Sequence, residues 1–193
     1  MPIGVDLGAV QEPGRPVVRR IVGPKDEALE RATAAGLSVL VGRYSVEKYE
    51  GEVCPENLTE IVECPPNLFL TTGVTRLWEL VCGVNSTHLD ATNSYLAVGD
   101  GTTAPDVAQS DLVGTNKARK KVSGGPVISG RQVTFSATFG TGDANFAWLE
   151  IGVGWSSSGN TLVSRAVPGG AGLGTKVNTA QWVLNWTLGI AAS

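Results

Sequence analysis

The chain has 193 residues, a formal net charge of -3, only 17% charged residues and 25 glycines. This length suits one good-sized domain with an extension, or two small domains. The charge argues against bulk nucleic-acid binding, and the absence of an apolar run of about 18 residues argues against a membrane-spanning helix. High glycine content and short patterns favour a β-rich protein with many turns.

Residues 1–23 contain Pro2, Pro13 and Pro16 with Gly4, Gly8, Gly14 and Gly23. They lack the basic start and continuous apolar core of a secretory signal, so the expectation is a product that stays where it is made. The stretch reads as an extended arm, apolar enough to bind a neighbouring subunit but too rich in Gly and Pro to fold alone. Its candidate interface residues are Ile3, Val5, Leu7, Val10, Val17, Arg19, Arg20 and Val22. The end of the arm, Val17 to Val22, also fits an edge strand, where charge is expected.

Residues 24–66 read as a small α/β segment and connector. Pro24, Asp26 and Glu27 open a short helix that Gly36 stops. Leu37 to Tyr49 alternates loosely as one strand, with a candidate break at Gly42, and Glu50 to Pro66 is an acidic connector. The third unit, residues 67–193, opens on a helix over Asn67 to Gly83. Its apolar stripe (Leu68, Leu70 or Thr71, Val74, Leu77, Trp78 and Val81) is read as core packing.

From Asn93 onward come short strands separated by turns. Val133, Phe135, Ala137 and Phe139 alternate with polar residues, as do Trp182, Leu184, Trp186, Leu188 and Ile190. The densest apolar run is Asn145 to Trp155, where Phe146 and Trp148 would face one way and Ala147, Leu149, Ile151 and Val153 the other. Its only charge, Glu150, needs a partner if buried. Arg165 and Lys176 are the candidates for a structural ion pair; otherwise Glu150 reaches solvent at a sheet edge. Together these features predict a mainly β fold, an antiparallel β-sandwich or barrel with one or two short helices and an extended N-terminal arm.

Few residues point to catalysis. His88 is the sole histidine, no Gly-x-Ser-x-Gly elbow occurs, and the acids of the β-rich part, Glu150 apart, lie in turns. Cys54, Cys64 and Cys82 lack metal-site spacing. Cys54 and Cys64 could close a small loop, although a cytoplasmic product favours reduced thiols. Gly99-Asp-Gly-Thr-Thr-Ala-Pro105 reads as a glycine-rich turn, and Lys117-Ala-Arg-Lys-Lys121 as a solvated strand. The expectation is a non-enzymatic protein with no catalytic residues, no cofactor and no metal.

The order of Asn67-Leu-Phe-Leu-Thr-Thr-Gly73, Tyr95-Leu-Ala-Val-Gly-Asp-Gly101, Val133 to Phe139, Ala144-Asn-Phe-Ala-Trp-Leu-Glu150, Leu162-Val-Ser-Arg165, Gly174-Thr-Lys176 and Trp182 to Ile190 resembles small structural proteins of tailed bacteriophages. These are head decoration (cement) proteins or tail-fibre components. The resemblance covers roughly residues 67–190. It implies a homotrimeric virion protein, made in the host cytoplasm, that binds the major capsid protein or other virion proteins and neither nucleic acid nor membrane. A tail-fibre or baseplate component is the second reading. A carbohydrate-binding adhesin module, using Trp155 or Tyr95, is the third.

Overall fold

The alternating apolar residues near the C-terminus form a 12-residue strand, Ala180–Ala191, that zips to an equally long strand near the N-terminus, Val39–Glu50. The structure is a computed structural model and describes residues 17–22, 27–64 and 67–191. In chain order the strands are β1 (Val18–Ile21), β2 (Val39–Glu50), β3 (Leu58–Glu63), β4 (Leu68–Phe69), β5 (Tyr95–Gly99), β6 (Lys117–Lys121), β7 (Val127–Ser129), β8 (Gln132–Phe139), β9 (Ala147–Trp148), β10 (Glu150–Gly154), β11 (Leu162–Ala166), β12 (Gly174–Thr175) and β13 (Ala180–Ala191). The helices are α1 (Glu27–Ala34) and α2 (Thr71–Val81).

Two sheets stack as a sandwich. The first has the order β1-β3-β2-β13-β8-β7 and the second β4-β11-β10-β5-β6, while β9 and β12 make a separate short pair. The pairing is antiparallel except for β1 on β3, which is parallel. The division at residue 66 is corrected by this topology. β2 and β3 lie in the same sheet as β8 and β13, so residues 39–63 supply part of the sandwich rather than a separate segment. Gly42 does not break β2; it pairs with Leu188, and an added Cβ there would sit 2.9 Å from Trp186 Nε1. The glycine makes room for the Asn67 side chain, whose Oδ1 would be closer still, as well as for the indole.

Burial of alternate side chains builds the core. From β13 come Trp182, Leu184 and Trp186; from β8, Phe135, Ala137 and Phe139; from β2, Tyr44 and Val46. Across the sandwich stand Leu96, Val98, Ile151, Val153 and Val163. Trp148 lies edge-on between Phe139 and Trp182, with ring centroids 4.8 Å from each. Such tilted contacts add about 0.5–1.5 kcal/mol per pair beyond burial.

The run around Trp148 is not one continuous strand. Trp148 C=O accepts from Leu173 N–H at 2.9 Å, and the next amide, Leu149 N–H, donates to Gly99 C=O at 2.8 Å. The chain changes partner within one residue, and the side-chain parity shifts with it. Trp148 and Ile151 therefore both enter the core, and Glu150 is turned to the other face of the second sheet. A smaller apolar cluster of Leu70, Ala97, Leu112 and Leu162 lies apart from the main core.

α2 packs on β11 through its smallest residue. Gly73 is the buried residue of α2, and a Cβ there would overlap the Val163 backbone. Thr72 Oγ1 donates to Leu162 C=O at 2.8 Å and secures the first turn. This seating splits the apolar stripe: Leu70 is buried and Leu68 and Leu77 are half-buried, whereas Val74, Trp78 and Val81 are exposed rather than in the core.

Candidate functional site

The most unusual chemistry lies beneath the loop between β5 and β6. Glu150 and Arg165 are both fully buried, and Arg165 Nε donates to Glu150 Oε2 at 2.7 Å. Register explains the contact. Gly152 pairs with Arg165 and Glu150 with Gly99, so the two charges project from the same face of adjacent strands. The carboxylate also accepts the backbone N–H groups of Gly101 (3.2 Å), Val113 (3.1 Å) and Gly114 (2.7 Å). The guanidinium donates to Gln109 Oε1 and to Thr103 C=O, each at 2.9 Å.

Both charges thus hold the 100–116 loop against the second sheet. A fully buried carboxylate or guanidinium left without a partner is costly, and here each charge has the other and further hydrogen bonds. The glycines of Gly99-Asp-Gly101 belong to the same device. A Cβ at Gly99 or Gly101 would fall 2.5 or 2.6 Å from Glu150 Oε1. Close approach to a carboxylate, not turn geometry alone, requires glycine at these positions.

Lys176 is not part of the pair. Its Nζ donates to Gly140 C=O at 2.7 Å and to Asn145 Oδ1 at 3.0 Å, and its N–H donates to Phe146 C=O. It follows β12, which pairs with β9 on the other side of the change of partner at Leu149. Burial lowers the Lys176 pKa.

The arm residues divide. Ile3, Val5, Leu7 and Val10 lie outside the described residues. Val17, Arg19, Arg20 and Val22 belong to or flank β1, which pairs with β3 of its own chain, so this part of the proposed intersubunit arm is corrected to an intramolecular edge. Arg20 Nε meets Glu60 Oε1 at 2.8 Å, Lys48 Nζ meets Glu60 Oε2 at 2.7 Å, and Val22 reaches the core. Pairing with two bases draws the strand in.

The basic cluster on β6 is largely engaged. Arg119 bonds Asp111 at 2.5 Å, Thr161 Oγ1 and Gly159 C=O at 2.7 Å, and Ser156 C=O at 2.9 Å. Lys120 meets Asp143 at 2.6 Å. Cys54, Cys64 and Cys82 are free thiols. Burial pushes the Cys64 thiol up to about 12. Among the described residues no group of three His, Cys, Asp or Glu is placed to hold a metal, and no helix is long and apolar enough to cross a membrane.

Acid sensitivity follows from these pairs. Burial opposes ionisation of Glu60, but the hydrogen bonds from Lys48 and Arg20 outweigh it and the pKa is lowered. A carboxyl depressed in the fold contributes stability above its unfolded value, about 4.3 for Glu, and loses it as pH falls through the folded value. The urea midpoint should therefore fall as pH drops below about 4. Glu60→Gln should flatten that fall, and an unchanged pH slope in urea titrations would show that the pair contributes nothing.

The remaining candidate is a surface. Along α2, Trp78 is 63% exposed and Val81 76%; Val84, just past the helix, is 77% exposed. Trp78 and Val81 form, with Val74, an outward apolar stripe at helical spacing. The sequence carried the stripe, but nothing in it told which face Gly73 would seat.

The fold defines the class of protein as a mainly β, two-sheet sandwich. No protein-family model matches the chain, no curated protein matches it, and no solved structure matches it.

Proposed function

We propose that the chain is a non-enzymatic structural protein of a tailed-bacteriophage virion: a homotrimeric head decoration protein that binds the major capsid protein and reinforces the lattice. The observation that carries this reading is the outward stripe of α2. A sandwich whose buried Glu150 and Arg165 are paired and whose core tryptophans are covered leaves Trp78, Val81 and Val84 facing outward. Exposed apolar patches of this kind mark protein contact surfaces, and tryptophan is enriched among residues that dominate binding energy.

The second reading, a tail-fibre or baseplate component, draws support from β1 and β7, which end the first sheet among the described residues and along which copies could stack. A carbohydrate-binding module has less support, since Trp155 is capped by Arg76, whose guanidinium carbon lies 4.5 Å from the ring centroid.

The test is Trp78→Ser. The side chain is exposed, so stability should change by no more than about 0.5 kcal/mol. Loss of a contact of about 2 kcal/mol should weaken binding to purified particles lacking the protein by roughly 30-fold. Binding as tight as that of the parent chain would overturn the assignment of α2 as the contact face.

A further inference from the structure

On β13 the core takes Trp182, Leu184 and Trp186, so Val183, Asn185, Thr187 and Gly189 face outward from the first sheet. Polar side chains tie most of this outer face together. Ser136 Oγ donates to Asn185 Oδ1 at 2.6 Å, Asn185 Nδ2 donates to Glu47 Oε1 at 3.2 Å, and the hydroxyls of Thr134 and Thr187 share a bond at 3.0 Å. Gly189 breaks the pattern. It pairs with Val41 on β2 and with Gln132 on β8, and in the next row Thr187 pairs with Arg43. With no side chain between Val41 and Gln132, the face dips into a groove of about 250 Å³ lined by Val41, Arg43, Gln132, Thr187, Gly189 and Ile190. Gln132 leans over the gap: a Cβ added at Gly189 would fall 2.9 Å from its Cγ.

The polar groups of the groove are not spent on the fold. Arg43 is exposed, and among the described residues neither its side chain nor that of Gln132 has a hydrogen bond or ion pair. Arg20, Arg119 and Arg165, by contrast, are each held by a carboxylate of their own chain. The lining therefore offers one cation, the neutral amide of Gln132, the hydroxyl of Thr187 and no acid. A single negative charge balances it. A phosphate group, at about −1.5 to −2 near neutral pH, carries more charge than one guanidinium compensates. The planar fork of arginine matches a carboxylate through two parallel bonds. Val41 and Ile190 add apolar walls beside it. The volume lies below the roughly 300–1,000 Å³ of drug-sized pockets, which restricts the occupant to a small one.

We propose that this groove binds a small monocarboxylate, with its carboxylate on Arg43 and Gln132 and its aliphatic body over Gly189 between Val41 and Ile190. A free aliphatic acid and the end of a glutamate side chain present this same chemistry. The proposal concerns the outer face of the first sheet and does not rest on the virion reading.

The test is a nuclear magnetic resonance titration of the full ¹⁵N-labelled chain with isobutyrate, with a blocked peptide carrying one glutamate, and with inorganic phosphate. Saturable shifts are expected at the Gly189 and Thr187 amides, the Gln132 side-chain amide and the Arg43 Nε–H. Tighter binding of isobutyrate would mark a free acid as the source, and tighter binding of the peptide a protein side chain; either supports the site. Arg43→Gln, at an exposed position, should weaken binding about tenfold or more, the effect of losing a bond to a charged group. Gly189→Ala, which fills the groove and keeps the charge, should weaken it as well. Arg131→Gln removes the same charge from the adjacent exposed turn, outside the lining, and should leave binding unchanged. No saturable shift with either carboxylate, phosphate bound as tightly, or equal losses from Arg43→Gln and Arg131→Gln would overturn the proposal.

Discussion

Replacing Glu150 by Gln is expected to lower the stability of the fold by about 3–5 kcal/mol, the usual cost of breaking a buried ion pair from one side. The amide keeps an oxygen for the N–H groups of Gly101, Val113 and Gly114, but Arg165 is left as an uncompensated charge with no exposed surface. The paired change Glu150→Gln with Arg165→Met removes that charge. It should recover part of the loss, because apolar replacement of a whole buried pair is often nearly neutral. Full recovery is not expected, since Gln109 Oε1 and Thr103 C=O lose their donors. Urea unfolding of the single and double variants gives the coupling directly. Strict additivity of the two single effects would show that the charges do not act on each other.

Trp186→Ala should cost a similar amount, about 3–5 kcal/mol. The indole is fully buried, its ring centroid lies 5.2 Å from that of Phe135, and its Nε1 occupies the space that Gly42 leaves open. The cavity would sit on β13 beside β2 and β8, where the sheet cannot easily close around it. A loss below about 1 kcal/mol in denaturant titrations, the range of surface substitutions, would mean that this face of β13 is not interior.

The parts of the fold that could be read in the sequence are those where period and burial agree locally. The alternation from Val133 to Phe139 and from Trp182 to Leu188 needed only the two-residue repeat of a strand with one covered face. Glu150 and Arg165 stood out as single charges in apolar segments, and a charge held in such a strand needs a counter-charge nearby. Other features depend on distant contacts. The pairing of β2 with β13 joins residues separated by most of the chain, and no local pattern encodes it.

The change of partner at Leu149 reverses which residues face inward, so a strict alternation through Trp148 assigned Leu149 and Ile151 to one face. On α2 the apolar period was visible, but the direction of the helix was set by Gly73 fitting against Val163. A small residue decided the seating over larger apolar ones because contact between helix and strand backbones leaves no room for a side chain. The glycines at 99 and 101 looked like turn residues for a similar reason: what they approach is a carboxylate 49 residues further on, as in the bond from Gly101 N–H to Glu150.

The proposed virion role is tested most directly by cryo-electron microscopy of purified phage particles produced by cells that carry this coding sequence. The virion reading predicts a β-sandwich appended to the outside of the head, with α2 and Trp78 against the lattice. Particles that lack the chain altogether, or that carry it with Trp78 facing solvent, would contradict it.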